Sequence, residues 1–127
     1  MGSMLFVGIG SFIGGVLRYL LSTWVHRILD NPWFPFGTLA VNAVGCLLIG
    51  FLAGLAETRS VFTSEVRLFV FIGILGGFTT YSSFALETFS LARETQLVAA
   101  SMNIALQLVL GLIAVWIGNV LAHFLGG

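Results

Sequence analysis

Apolar residues run along the chain in four blocks, each near the ~20-residue length of a helix that crosses a ~30 Å hydrocarbon layer. The pattern predicts helices over residues 4–25, 37–56, 64–91 and 96–124. Residues 26–36 hold both prolines of the chain, Pro32 and Pro35, beside Asp30 and Asn31, and read as a non-helical connection. The charged turn Glu57-Thr58-Arg59-Ser60 and the short Arg93-Glu94-Thr95 link the later blocks. Ser64 is expected to cap the third helix, with Glu65 in its first turn. The first block is too long for a cleaved signal peptide and lacks a basic start, so it is expected to be retained.

Polar positions inside the blocks are few, and each needs a reason. The first helix carries Arg18 in its last two turns, with Tyr19 and Trp24 where aromatic belts form. The second carries Asn42, and the fourth Asn103 and Gln107 one turn apart on one face. The third contains Gly76-Gly77-Phe78-Thr79-Thr80-Tyr81-Ser82-Ser83-Phe84, a glycine pair followed by five consecutive hydroxylated residues, and then Glu87. Polar groups in a bilayer core are costly unless satisfied, so these side chains are expected to face protein or water. Five hydroxyls in a row cannot share one helical face. Either helix three is broken near its middle, freeing carbonyls that could hold a cation, or it is unbroken and the hydroxyls bond back to the preceding turn. An anion path is a further reading: Asn42 and the hydroxyls donate, Phe84 offers a positive ring edge, and Arg18 adds attraction at the mouth. The plain alternative is that Arg18 snorkels and Phe84 packs.

Composition agrees with a membrane setting: 58% of residues are hydrophobic and 8% charged, against about a quarter charged in soluble domains. The chain reads as one four-helix transmembrane domain over residues 1–127. Cys46 is the single cysteine, so an intrachain disulfide is excluded. His26 and His123 sit at block ends and read as interfacial. Glu87 is the only acid within an apolar block, and no nucleophile motif or phosphate loop accompanies it, so an enzyme is not expected. No nucleic-acid partner is expected either.

Arginines do not fix an orientation. With alternating helices, Arg27 and Arg93 lie on one side and Arg59 and Arg67 on the other. Such a chain can insert both ways, and inverted copies could pair through close-packing glycines at four-residue spacing, Gly10 with Gly14, Gly50 with Gly54 and Gly73 with Gly77. A weakly biased monomer, its glycines packing within one chain, is the alternative.

Together, Gly14-x-x-x-Arg18, Gly37-Thr38-Leu39-x-x-Asn42 and Gly76-Gly77-Phe78-Thr79-Thr80-Tyr81-Ser82-Ser83-Phe84 resemble the Fluc (CrcB) fluoride channels, in the same order and across nearly the whole chain. The resemblance implies an all-α integral membrane protein of the plasma or inner membrane, with four transmembrane helices per chain and helix three broken. It further implies a dual-topology antiparallel homodimer, with two pores for passive fluoride export and a structural sodium ion at its centre. By the same resemblance, the sodium is held by backbone carbonyls of Gly76 and Thr79, and fluoride passes Asn42, Tyr81, Phe84, Thr38, Ser82 and Ser83. Arg18 and Glu87 correspond to accessory residues, and Asn103 and Gln107 keep a polar face on helix four. Tyr81 stands where the family usually has phenylalanine, and Gly111-Leu112 where it often has glycine followed by serine. Two competing readings are a small multidrug-resistance-like transporter, which would need a glutamate in helix one where this chain has Arg18, and a non-transporting assembly subunit, which leaves the hydroxyl run unexplained.

Overall fold

The computed structural model describes residues 2–30, 32–59 and 62–126. The described residues form α1 (Gly2–Ile28), α2 (Phe36–Arg59), α3 (Ser64–Arg67), a π-helical segment (Leu68–Leu75), α4 (Gly76–Phe78), α5 (Tyr81–Arg93) and α6 (Leu97–Gly126). Taken as continuous spans, Gly2–Ile28, Phe36–Arg59, Ser64–Arg93 and Leu97–Gly126 are long and apolar enough to cross a membrane.

The helices run past several expected ends. His26, Arg27 and Ile28 include no helix breaker, so α1 continues to Ile28 and turns only where Asp30 takes a left-handed φ of 59°. Arg59 likewise extends α2 through most of the expected turn, while Ser60 lies outside the described residues, as does Asn31 of the first connection. Thr63, not Ser64, caps α3: its side chain accepts the Val66 N–H at 3.3 Å. The two neighbours are equally good cap residues, and the one with extended backbone takes the role. At the other end of that span, Thr95 at φ 61° closes α5, with Thr95 N–H donating to the Ala92 carbonyl and Gln96 N–H to that of Leu91.

Backbone approaches backbone along two seams. On the first, a Cβ added at Gly10 would lie 2.5 Å from the Phe69 carbonyl oxygen, one at Gly77 2.7 Å from that of Ser11, and one at Gly14 would overlap the Ile74 carbonyl. On the second, Cβ atoms at Gly50 and Gly118 would strike the backbones of Val115 and Leu47, and one at Gly54 would meet the Ala122 methyl at 2.6 Å. All three glycine pairs are therefore consumed by packing α1 on the third span and α2 on α6. The expectation that these glycines join two copies is corrected: their faces are already filled by the chain's own helices.

Little large apolar surface is buried. Phe12 is 73% exposed and Leu112 72%, and they have similar neighbours along α1 and α6. A surface of that kind suits lipid, since in water it would form an aggregating patch. At one end of the bundle, Phe34, Leu91, Ala99 and Ala100 form a buried cluster that ties the first connection to the turn between α5 and α6.

Candidate functional site

The site begins where the third span leaves helical geometry. Thr79 (φ −84°, ψ 157°) and Thr80 (φ −147°, ψ 114°) are extended, between α4 and α5. Both are β-branched, which favours that conformation, and they lie near the middle of the Ser64–Arg93 span. Backbone groups at such depth need partners, and side chains supply them. Asn42 of α2 braces Thr80 from both directions: its Oδ1 accepts the Thr80 N–H at 2.9 Å, and its Nδ2 donates to the Thr80 carbonyl at 3.0 Å. Arg18 Nε of α1 donates to the Gly77 carbonyl at 3.2 Å, the oxygen that an unbroken helix would pair with Tyr81 N–H. Thr80 Oγ1 accepts the Ser83 N–H at 3.1 Å and so caps α5. Thr79 Oγ1 donates back to the Leu75 carbonyl at 3.0 Å.

Beside these braces lies a cavity of about 290 Å³, lined among others by Arg18, Ser22, Thr38, Thr80, Ser83 and Glu87. Thr38 Oγ1 donates to Glu87 Oε2 at 3.0 Å across it. A wider vestibule of about 600 Å³ adjoins at Ser22, Thr23 and Glu87 and is also lined by His26, Arg27 and Asp30. A polar recess thus leads from one end of the bundle to the centre of the third span, with Arg18, Arg27, Asp30 and Glu87 lining it.

Not every expected residue lies there. Tyr81 is 79% exposed and Ser82 is exposed, so both lie on the outer surface, with the Tyr81 ring 5.7 Å from that of half-buried Phe84 at 60°. Gly76 is exposed as well. Asn103 is fully buried and donates from Nδ2 to Thr88 Oγ1 at 2.9 Å, which ties α6 to α5 away from the recess. Gln107 joins the Asn42 brace, its Oε1 accepting a second Asn42 N–H at 3.1 Å. Three buried atoms have no partner among the described residues: Glu87 Oε1, Asn103 Oδ1 and Gln107 Nε2. Sequence reasoning held Thr80 only as one of the hydroxyl run and passed over Ser22 and His26 as site residues. Thr80 had a usable signal, since threonine just ahead of a helical run is a cap. His26 and Ser22 both meet Gly37, which lies beyond the prolines, where spacing says nothing.

The chain matches, over residues 5–119, the family described as CrcB-like protein, Camphor Resistance (CrcB). It belongs to the CrcB family. CrcB relatives align over nearly their full length. One from Methanosarcina acetivorans, named fluoride-specific ion channel FluC 1, is 43% identical over 122 residues, covering 96% of this chain and 92% of the relative. Proteins named fluoride-specific ion channel FluC from Methylocella silvestris and Parabacteroides distasonis are 45% and 46% identical, covering 93% and 89% of this chain and 91% and 87% of themselves. With its four membrane-length helices, this CrcB member is a multi-pass membrane protein.

Proposed function

We infer that this chain forms a passive, fluoride-selective channel that exports fluoride across the cell membrane. The observation that carries this reading is the recess at the centre of the third span, where Arg18, Thr38, Thr80 and Ser83 converge at membrane depth in a chain whose relatives are named fluoride-specific channels. Fluoride is small and strongly hydrated. A path for it must replace water by closely spaced donors, yet hold the ion weakly enough to release it.

Hydroxyls of Thr38 and Ser83 donate within the recess, and Ser82 on the outer surface, while the paired rings of Tyr81 and Phe84 turn positive edges to an anion passing along the outer face of α5. Asn42 serves differently from a free donor, because both of its Nδ2 hydrogens are engaged, by the Thr80 carbonyl and by Gln107 Oε1. A fluoride beside it displaces the weaker brace to Gln107. It then meets Gln107 Nε2, which is buried without an acceptor among the described residues. Arg18 favours anion entry, and Glu87 tunes it by accepting from Thr38.

The exposed α5 face is the surface that supports pairing with a second copy. Two inverted copies would each place Tyr81, Ser82 and Gly76 in the interface and so form two equivalent pores. The residues at the extended turn fit a sodium ion between them. The Thr80 N–H that would pair with the Gly76 carbonyl in a helix goes to Asn42 Oδ1 instead, and Gly76 is exposed, with only the Phe71 carbonyl oxygen within 4 Å of an added Cβ, at 3.7 Å. A freed carbonyl of that kind is a hard oxygen donor suited to a monovalent cation. Gly76 and Thr79 of both copies would hold the ion, which would supply a fixed positive charge at the centre.

The test is reconstitution into liposomes loaded with fluoride or chloride, read with ion-selective electrodes. Rapid fluoride efflux with chloride retained is expected. Fluoride release no faster than from protein-free liposomes would overturn the reading.

A further inference from the structure

His26 lies at the wide end of the recess in an arrangement that depends on its charge. Its Nε2 accepts the Gly37 backbone N–H at 3.1 Å. That nitrogen therefore carries a lone pair, and the ring is neutral, with its proton on Nδ1. The bond satisfies an N–H in the first turn of α2, where no helical acceptor exists. A side chain of α1 thus caps α2 across the proline connection. The contact is close: a Cβ at Gly37 would meet His26 Nε2 at 2.6 Å and Ser22 Oγ at 2.5 Å. The next residue is Thr38, which donates to Glu87.

A protonated imidazole cannot accept the Gly37 N–H. It becomes a donor at both nitrogens, and an acceptor is at hand. Glu87 Oε1 is buried with no partner among the described residues, and Glu87 and His26 together line both the vestibule and a second cavity of about 330 Å³. The charged groups facing His26 from the packed elements are Arg27 and Asp30 on its own helix and the turn after it, and Glu87 and Glu94 from the third span and its end. Three carboxylates and one arginine thus share the space around it. Arg18 lies one cavity deeper, with Ser22 and Glu87.

We propose that His26 is a proton-responsive positioning residue for the ion path: neutral, it caps α2 through the Gly37 N–H; protonated, it lets that N–H go and pairs with the free Oε1 of Glu87. The inference rests on the fluoride-channel reading. Protonation also cancels one negative charge at the vestibule, which lowers the barrier to an entering anion. Conduction is therefore greater on the acid side of the range, about pH 5 to 8, over which imidazoles ordinarily titrate.

Efflux is compared at pH about 7.5 and about 5.5, with the protein-free rate subtracted at each pH because hydrogen fluoride crosses lipid unaided. Wild-type efflux is expected to rise about three- to tenfold at the lower pH, the scale of removing one partly screened charge. His26→Gln keeps an acceptor for Gly37 N–H but carries no imidazole, so whatever its absolute rate, its efflux should be the same at the two pH values. His123→Gln, at the opposite end of the bundle beside Glu57, should keep the rise. A flat wild-type profile, or a rise that survives in His26→Gln, overturns the proposal. The Gly37 amide resonance in isotope-labelled protein gives a readout free of transport: it should shift between the two pH values in wild type and not in His26→Gln. Should no fluoride pass at either pH, the channel reading fails while the amide signal still decides the role of His26, and an unmoved signal refutes it.

Discussion

The two halves of the third span are built on opposite principles. From Leu68 to Phe78 it is apolar apart from its glycines, and its backbone lies directly on that of α1 at Gly10, Gly14 and Gly77. From Tyr81 to Arg93 it carries Ser82, Ser83, Glu87 and Thr88 and meets α2 and α6 through side-chain hydrogen bonds. Where the first half faces α1 it leaves no room for an added methyl; the second half borders a recess, a carboxylate oxygen without a partner among the described residues and neighbouring amide groups that can exchange partners. Backbone-to-backbone packing is all or none, because a carbonyl held in a helix cannot retreat from an added methyl. Side-chain bonds rearrange at the modest net cost of one hydrogen bond for another. An ion path belongs to the second half, and the first is its anchor.

The largest effect is expected from breaking the anchor. Gly14→Val places a branched side chain against the Ile74 carbonyl and the Phe78 nitrogen, and overpacking against immovable backbone should cost more than about 3 kcal/mol. No monodisperse protein should survive detergent extraction and size-exclusion chromatography. Thr38→Val comes next. It removes the donor to Glu87 at 3.0 Å and leaves a carboxylate oxygen unsatisfied, worth about 1.5–3 kcal/mol for a bond to a charged group. The chain should fold, and liposome efflux should fall by about tenfold.

Gly76→Ala sharpens the contrast between glycines one residue apart. Gly77 is pressed on Ser11, whereas Gly76 has a helical φ of −63° and an added Cβ there would meet only the Phe71 carbonyl oxygen, at an ordinary 3.7 Å. Within one chain, Gly76→Ala should be neutral or stabilising by about 0.5–1 kcal/mol. If extraction and thermal unfolding are unchanged while dimer cross-linking falls, a second copy occupies that face. The smallest effect is expected at Tyr81, which is exposed and edge-on to Phe84. Tyr81→Phe keeps the ring edge and should leave efflux within about twofold of wild type or raise it. A dead variant would mean that the hydroxyl is required.

Legibility in the sequence follows the same division. The four spans are plain because apolar block length is set by bilayer thickness, a property outside the chain. Helix ends are less plain, since His26-Arg27 and Glu57-Thr58-Arg59 are polar yet helix-compatible, and polarity alone does not stop a helix. The glycine pairs announce close approach but not to what; only the coordinates show Gly10 meeting Phe69 and Gly50 meeting Val115. The pair Gly76-Gly77 suggested where the backbone departs from a helix, yet both residues are helical and the extended ones are Thr79 and Thr80. Gly77 is there for proximity to Ser11. The polar residues of the recess could be named from their cost in a membrane, but their pairing could not. Asn42 with Thr80, Thr38 with Glu87 and His26 with Gly37 are 38, 49 and 11 residues apart, and no periodicity links them.

The central claim is that fluoride passes the polar half of the third span, beside the Asn42 brace. Asn42→Asp tests it most directly, since it keeps size and shape while setting an anion against the Thr80 carbonyl and Gln107 Oε1. With folded variant and wild type reconstituted at equal density and read by fluoride electrode, wild type should empty its liposomes and the variant should not exceed the protein-free rate. Undiminished efflux through the variant would contradict the account.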